Sequence, residues 1–196
     1  AHIRVDQPMG GRILAERVVA EGAEVPFGSN SMRVAEAEFA FRMGRTLEPR
    51  DTLYSLPEVM SAVETLHPAI EIPDSRFLDF VGAGAAQLIA DNACAHYFVL
   101  GSAAPEGWRV LDLAAHVVNA RTATLERTGS GAAVLGDPRA ALAWLANELS
   151  GLGIKLAAGQ VVTTGTCTSP LPIAPGDEVV NDMGILGRVA ARFSRD

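Results

Sequence analysis

Residues 34–44, VAEAEFAFRMG, alternate in character. Ala37, Phe39, Phe41 and Met43 share one parity, and Glu36, Glu38 and Ala40 share the other. Successive strand side chains point to opposite faces, so the pattern predicts a β-strand. Helix signals follow. Ser55 and Glu58 fit a capping box, Pro57 suits a first turn, and Val59, Met60, Val63 and Leu66 form an apolar stripe. The expected helix covers 55–66 and ends at His67-Pro68. PAIEI (68–72) then reads as a short buried strand, 77–90 as a short helix, and AHYFVLG (95–101) as a strand. AAHVVNARTATLERTG (114–129) predicts a hairpin. Asp137 caps a strong helix with Pro138 at its first position, Leu142, Leu145 and Leu149 on one face, and Gly151 just past its end. QVVTTGT, DEVVNDM and GRVAARF add strands towards the C-terminus. The fold class is therefore α+β, with more strand than helix, a few outer helices and no internal repeat.

The bulk numbers narrow the chemistry. The 196 residues suit a single domain with one good-sized core. A formal net charge of -7 argues against nucleic acid as the main partner, because a phosphate backbone needs a basic surface. Lys155 is the only lysine, and it sits in a Gly-rich stretch (151–159), so it is the sole candidate for Schiff-base chemistry. Cys94 and Cys167 are far apart and lack zinc-ligand spacing. They read as free thiols of a reducing cytoplasm. The longest uncharged run, 156–176, is broken by prolines and glycines and is no membrane helix. The first residues carry no apolar signal-peptide core.

The carboxylates are the informative feature. On a strand, Glu36 and Glu38 point to one face roughly 7 Å apart at the backbone. On a helix they would diverge by about 200°. Glu71 lies in an apolar strand, where a carboxylate is costly unless paired, hydrogen-bonded or metal-bound. Three oxygen ligands with no histidine in the set suit Mg²⁺, with Mn²⁺ as a substitute. The plainer alternatives are a solvated strand face for Glu36 and Glu38, and an ion pair in which Arg76 neutralises Glu71 or Asp74.

The blocks AEAEFAFRMGRTL, PAIEIPDSRF, ADNACAHYFVLG, VLGDPRAALAWLANEL, TTGTCTSPLPIAPGDEV and GRVAARF occur in this order along nearly the whole chain. Together they resemble the 2-keto-4-pentenoate hydratase branch of the fumarylacetoacetate hydrolase-like superfamily. That branch includes 2-oxohept-3-ene-dioate hydratases and 4-oxalocrotonate decarboxylases. The resemblance implies a mixed β roll with flanking helices, resembling the C-terminal domain of fumarylacetoacetate hydrolase. It implies Mg²⁺ bound by Glu36, Glu38 and Glu71. The opening IRVDQPMGG resembles the family's DQP segment, which makes Asp6 the expected acid/base group. Arg76 and Asn92 are candidates for the substrate side. Thr166 and Ser169, in a hydroxyl-rich segment with Thr164 and Thr168, are further candidates. The family also carries a Gly-x-Lys-x-Gly-Leu-type motif ahead of the DQP segment. Residues 1–5 do not supply it, so 1–196 is expected to be one catalytic domain, N-terminally truncated relative to the family.

The implied activity is a Mg²⁺-dependent lyase acting on a short 2-oxo-enoate or its dienol in aromatic-compound catabolism. Hydratase and decarboxylase chemistry both fit. The alternatives are a C–C bond hydrolase or oxaloacetate-type decarboxylase of the same superfamily, and a non-catalytic metal-binding partner subunit. The hydrolases of the superfamily use a His–Glu pair, yet none of His2, His67, His96 and His116 lies beside a glutamate in the sequence; they read as packing or surface residues. A small 2-oxo acid is the expected partner, with no nucleic acid and no membrane. The strand edges of a β roll suggest a homo-oligomer, and association with a related decarboxylase or hydratase is a further expectation.

Overall fold

The structure is a computed structural model that describes residues 7–196. Among the described residues, eleven strands and three α-helices follow one another. The strands β1 (Val18–Val19) and β2 (Glu24–Val25) are short; β3 (Val34–Met43) has ten residues. Next come α1 (Leu56–Ser61), β4 (Val63–Ile72), α2 (Ala85–Ala90) and β5 (Tyr97–Leu100). The hairpin β6 (Val117–Arg121) and β7 (Glu126–Ser130) precedes α3 (Pro138–Gly151). The chain ends with β8 (Val161–Thr166), β9 (Leu171–Pro172), β10 (Glu178–Asp182) and β11 (Arg188–Phe193).

Two sheets form. One has the order β1-β5-β4-β3-β8, with β9 pairing the start of β3. The other has the order β2-β11-β10-β6-β7. Among the described residues, the β1–β5 and β2–β11 pairs are parallel and the other strand pairs antiparallel. The mixed pairing and few helices match the expected β roll. The parity read from the sequence divides β3 as expected. Ala37, Phe39, Phe41 and Met43 join the main core with Leu66 and Ile70 of β4 and with Val118, Val179 and Val189 of the second sheet. Glu36, Glu38 and Ala40 take the opposite face. Asn181 on β10, fully buried, ties the sheets together by donating from Nδ2 to the Ala69 carbonyl at 2.9 Å and to that of Glu38 at 3.5 Å. Ala69 and Glu38 are themselves paired across β4 and β3, so the tether fixes the sheet beneath the carboxylates.

The expected helix over 55–66 is shorter. Its capping box is present, but α1 stops at Ser61 and Val63 to Leu66 belong to β4. The register explains the misleading stripe. Arg42 pairs Thr65 while Met43 pairs Val63, so Glu64 is an extra residue. Such a bulge puts residues three apart on one face. Val63 and Leu66 thus both enter the core with helix-like spacing inside a strand.

Pro68 does not end an element either. Its carbonyl accepts from Gly101 N just past the end of β5, so its nitrogen lies on that side and costs no bond to β3. The helix expected over 77–90 is confined to 85–90, because Gly84 at φ +87° must precede its first turn. In α3, Asp137 accepts from Arg139 N as expected. Gly151 is its last residue rather than the one beyond, and Gly153 supplies the left-handed turn at φ +71°. Leu142 is fully buried; trimming it to alanine would remove about 2–5 kcal/mol.

Candidate metal centre

Glu36 and Glu38 leave β3 on the face away from the main core. Glu71 lies on β4 directly opposite Glu36 in the antiparallel register. One carboxylate oxygen from each of the three lies within 4.8 Å of the others. Glu38 is 1% exposed and Glu36 8%. Like charges directly opposed across a ladder repel, and burial removes the water that would screen them.

The strand β8 completes the arrangement on the other side of β3. Glu38 pairs Thr166 while Ala40 pairs Thr163, so β8 carries one extra residue between them. Gly165 takes φ +110° within that bulge, in the region that favours glycine. The distortion brings the Thr163 hydroxyl onto Glu38 Oε2, to which Gly165 N also donates at 2.8 Å. Glu38 Oε1 is buried and accepts from no hydroxyl or N–H donor among the described residues, and the Glu38 side chain also meets the Glu71 carboxyl. One oxygen is therefore held by two donors while the other is left with acidic company, which suits a cation.

The electrostatics follow from burial. Glu36 is pushed up to about 8, first by burial and then by the charge of Glu38. Burial raises Glu38 too, opposed by the bonds from Thr163 and Gly165. Glu71 is raised well above the ordinary carboxylate range by burial and by its two acidic neighbours. A divalent cation would replace the protons that these groups otherwise retain. The donor set and the buried Glu38 oxygen fit a hard cation.

A cavity of about 190 Å³ opens over the carboxylates. Its walls come from Pro8 and Met9 before β1, from Ala141, Trp144 and Leu145 on α3, and from Val162 to Gly165 on β8. The N-terminal wall is tied down at several points. Met9 packs against the Met32–Leu88–Cys94 cluster and Ile13 against Ala40, Ala69 and Phe98. Between them, Asn92 accepts from Arg12 N at 2.8 Å and donates to Arg12 O at 2.7 Å.

The remaining expected site residues are placed as follows. Asp6 lies outside the described residues. Asn92 has both ends of its amide on the Arg12 backbone, where it fixes a cavity wall. Arg76 pairs with Asp91 through its side chain and its backbone N–H, so neither Glu71 nor Asp74 is its partner. Thr166 donates to the Thr168 carbonyl, and Ser169 is exposed; neither lines the cavity. The hydroxyl-rich segment does reach the site, but through Thr163 and Thr164. Sequence reading missed Thr163, Gly165, Trp144 and the Pro8–Met9 wall. A Gly beside a Thr pair in a strand was the available signal for the bulge. Nothing local marked Trp144.

Of the histidines, His67 has one ring nitrogen 2.8 Å from Thr65 Oγ1 and the other 2.8 Å from the Gly101 carbonyl. His116 Nε2 lies 2.8 Å from the Met183 carbonyl, and His96 packs edge-on against Tyr97. His2 is outside the described residues.

Residues 6–194 match the family described as fumarylacetoacetate (FAA) hydrolase C-terminal. The chain is 33% identical over 190 residues to a 2-keto-4-pentenoate hydratase of Paraburkholderia xenovorans, covering 96% of this chain and 69% of that protein. It is 31% identical over 196 residues to a 4-oxalocrotonate decarboxylase of Pseudomonas sp. strain CF600, covering 98% and 72%. Among solved structures, 4-oxalocrotonate decarboxylase from Pseudomonas putida G7, complexed with magnesium and adipate, superposes with a TM-score of 0.82 at 30% identity. That match covers 97% of this chain and 72% of the other.

Proposed function

Because the chain belongs to the fumarylacetoacetate hydrolase C-terminal family, we propose that it works as a Mg²⁺-dependent lyase on a short 2-oxo-enoate or its dienol, by hydration or decarboxylation. The observation that carries this reading is the convergence of Glu36, Glu38 and Glu71, with Glu38 Oε1 buried beneath a cavity. These three residues hold the cation, with Mn²⁺ as a substitute. When bound, it supplies positive charge that stabilises negative charge developing on the substrate's 2-oxo oxygen.

The chain's own groups do the rest. Thr163 and Gly165 fix Glu38 so that its second oxygen stays directed to the ion. Trp144, Leu145 and Val162 exclude water from one side of the cavity. Asp6, two residues before the cavity-lining Pro8, carries a proton to or from the substrate carbon, which is the role that its place in the DQP segment suggests. The relatives named above are a hydratase and two decarboxylases, which supports lyase chemistry over hydrolysis. Two buried free cysteines fit a reducing cytoplasm, and among the described residues no helix is long and apolar enough to cross a membrane. The strand edges of the two sheets fit a homo-oligomer.

The test uses a 2-hydroxydienoate with the purified protein and Mg²⁺. Loss of the dienol absorbance, abolished by chelator, is the expected result. NMR of the product then separates a 4-hydroxy-2-oxo acid from released CO₂ or cleaved acids. No turnover across a panel of dienols and oxo acids, with Mg²⁺ shown to be bound, would overturn the proposal.

A further inference from the structure

The cavity has two chemically different ends. One is the carboxylate cluster. The other is the wall where Ala141, Trp144 and Leu145 stand at i, i+3 and i+4 on α3, the spacing that places side chains on one helix face. Val162 of β8 and Met9 extend the same apolar surface. Among the described residues, no arginine, lysine or histidine lines this cavity. Two arginines close in sequence to the α3 and β3 walls are committed elsewhere. Arg139, in the first turn of α3, forks onto Asp137 with three side-chain contacts between 2.6 and 3.0 Å. Arg42 of β3 turns to the Gly159 carbonyl.

We infer that the α3 wall, with Trp144 at its centre, selects 2-oxo acids whose tail is uncharged and apolar and rejects those with a second carboxylate at the far end. This rests on the reading of the carboxylates as a cation site for the 2-oxo acid head. A head carboxylate and 2-oxo oxygen would go to that end, leaving the tail to face Trp144, Leu145 and Val162. An apolar tail gains from leaving water there. A tail carboxylate would lose its hydration with no donor of positive charge among the described lining residues to replace it. The space is small as well. A cavity of about 190 Å³ suits a short chain.

The experiment measures binding, so it does not depend on turnover. The Mg²⁺-loaded protein is titrated calorimetrically with oxalate, 2-oxopentanoate, 2-oxohexanoate, 2-oxoglutarate and 2-oxoadipate. Oxalate tests the head site alone. The expected result is that oxalate binds and that each apolar-tailed acid binds at least about tenfold more tightly than the carboxylate-tailed acid of equal chain length. The Trp144→Arg variant should narrow or reverse that ratio while oxalate affinity stays within about threefold. Leu145→Arg is the second variant should the first fail to fold. If oxalate binds but the two tail classes bind equally, or the dicarboxylates bind better, the inference about the wall is wrong and the metal site stands. If oxalate and every oxo acid fail to bind with Mg²⁺ present, the head-site reading itself is wrong.

Discussion

Glu36 and Glu71 face each other directly across the antiparallel pair of β3 and β4. A buried acid and a half-buried one in that position are an unfavourable cross-strand pair for the fold alone. Ladder pairing holds their backbones in register, so neither side chain escapes by sliding along its strand. Without metal the fold relieves this repulsion by holding protons on the cluster, and a dication would replace them.

Glu71→Gln should therefore separate stability from metal binding. It removes one ionisable group of the cluster while keeping its shape. The metal-free protein is expected to gain roughly 1–3 kcal/mol near neutral pH. Mg²⁺ affinity should fall at least about tenfold. Thermal unfolding with chelator reads the first and calorimetry the second. A variant that is less stable without metal would contradict this account of the cluster.

The pH dependence has a defined sign. Glu36 titrates near 8 in the folded protein, against the ordinary 4.5 for this group when unfolded. Its folded value is raised, so its contribution to stability is fully present below the lower value and is lost as pH rises towards the upper one. Glu38 and Glu71 are shifted in the same direction. The metal-free protein should lose thermal stability between about pH 5 and pH 8. Added Mg²⁺ should recover it, with a larger shift in melting temperature at the upper end, where fewer protons compete. A flat profile for the metal-free protein would remove the basis for this coupling.

Thr163 holds Glu38 Oε2 through its hydroxyl. Thr163→Val keeps the β-branched shape and removes that donor. Hydrogen bonds to a charged group contribute about 1.5–3 kcal/mol, so Mg²⁺ affinity should drop about tenfold or more. Thr163→Ser should restore most of it. Equal loss in both variants, measured by calorimetry, would show that packing and not the hydroxyl matters.

Asn92 acts on the opposite wall. Asn92→Asp keeps the acceptor for Arg12 N and loses the donor to Arg12 O. Amide hydrogen exchange at residues 9–13 should rise about tenfold, consistent with one lost bond of roughly 1–1.5 kcal/mol. Mg²⁺ affinity should stay unchanged, because Asn92 touches no member of the carboxylate cluster. Turnover of the dienol should fall, since the loosened segment is the one that Asp6 precedes.

The sequence by itself determined the parity of β3 and hence the shared face of Glu36 and Glu38. Period-two alternation is local, and local geometry obeys it. It determined the capped starts of α1 and α3 for the same reason, since a cap involves only neighbours in the chain. The order of the sequence blocks carried the family resemblance and with it the pairing of these acids with Glu71. Tertiary structure decided what depends on partners remote in sequence. The bulge at Glu64 turned a helix-like stripe into strand. The bulge at Gly165 exchanged Thr163 for Thr166 as the hydroxyl at the site. A bulge is defined by the strand opposite, so one strand's own residues do not reveal it. Asn92 became a clamp because the chain brings Arg12 alongside it, eighty positions away. Trp144 became a cavity wall because α3 packs beside β8. Those contacts, between elements far apart in the chain, are what set the walls around the three glutamates.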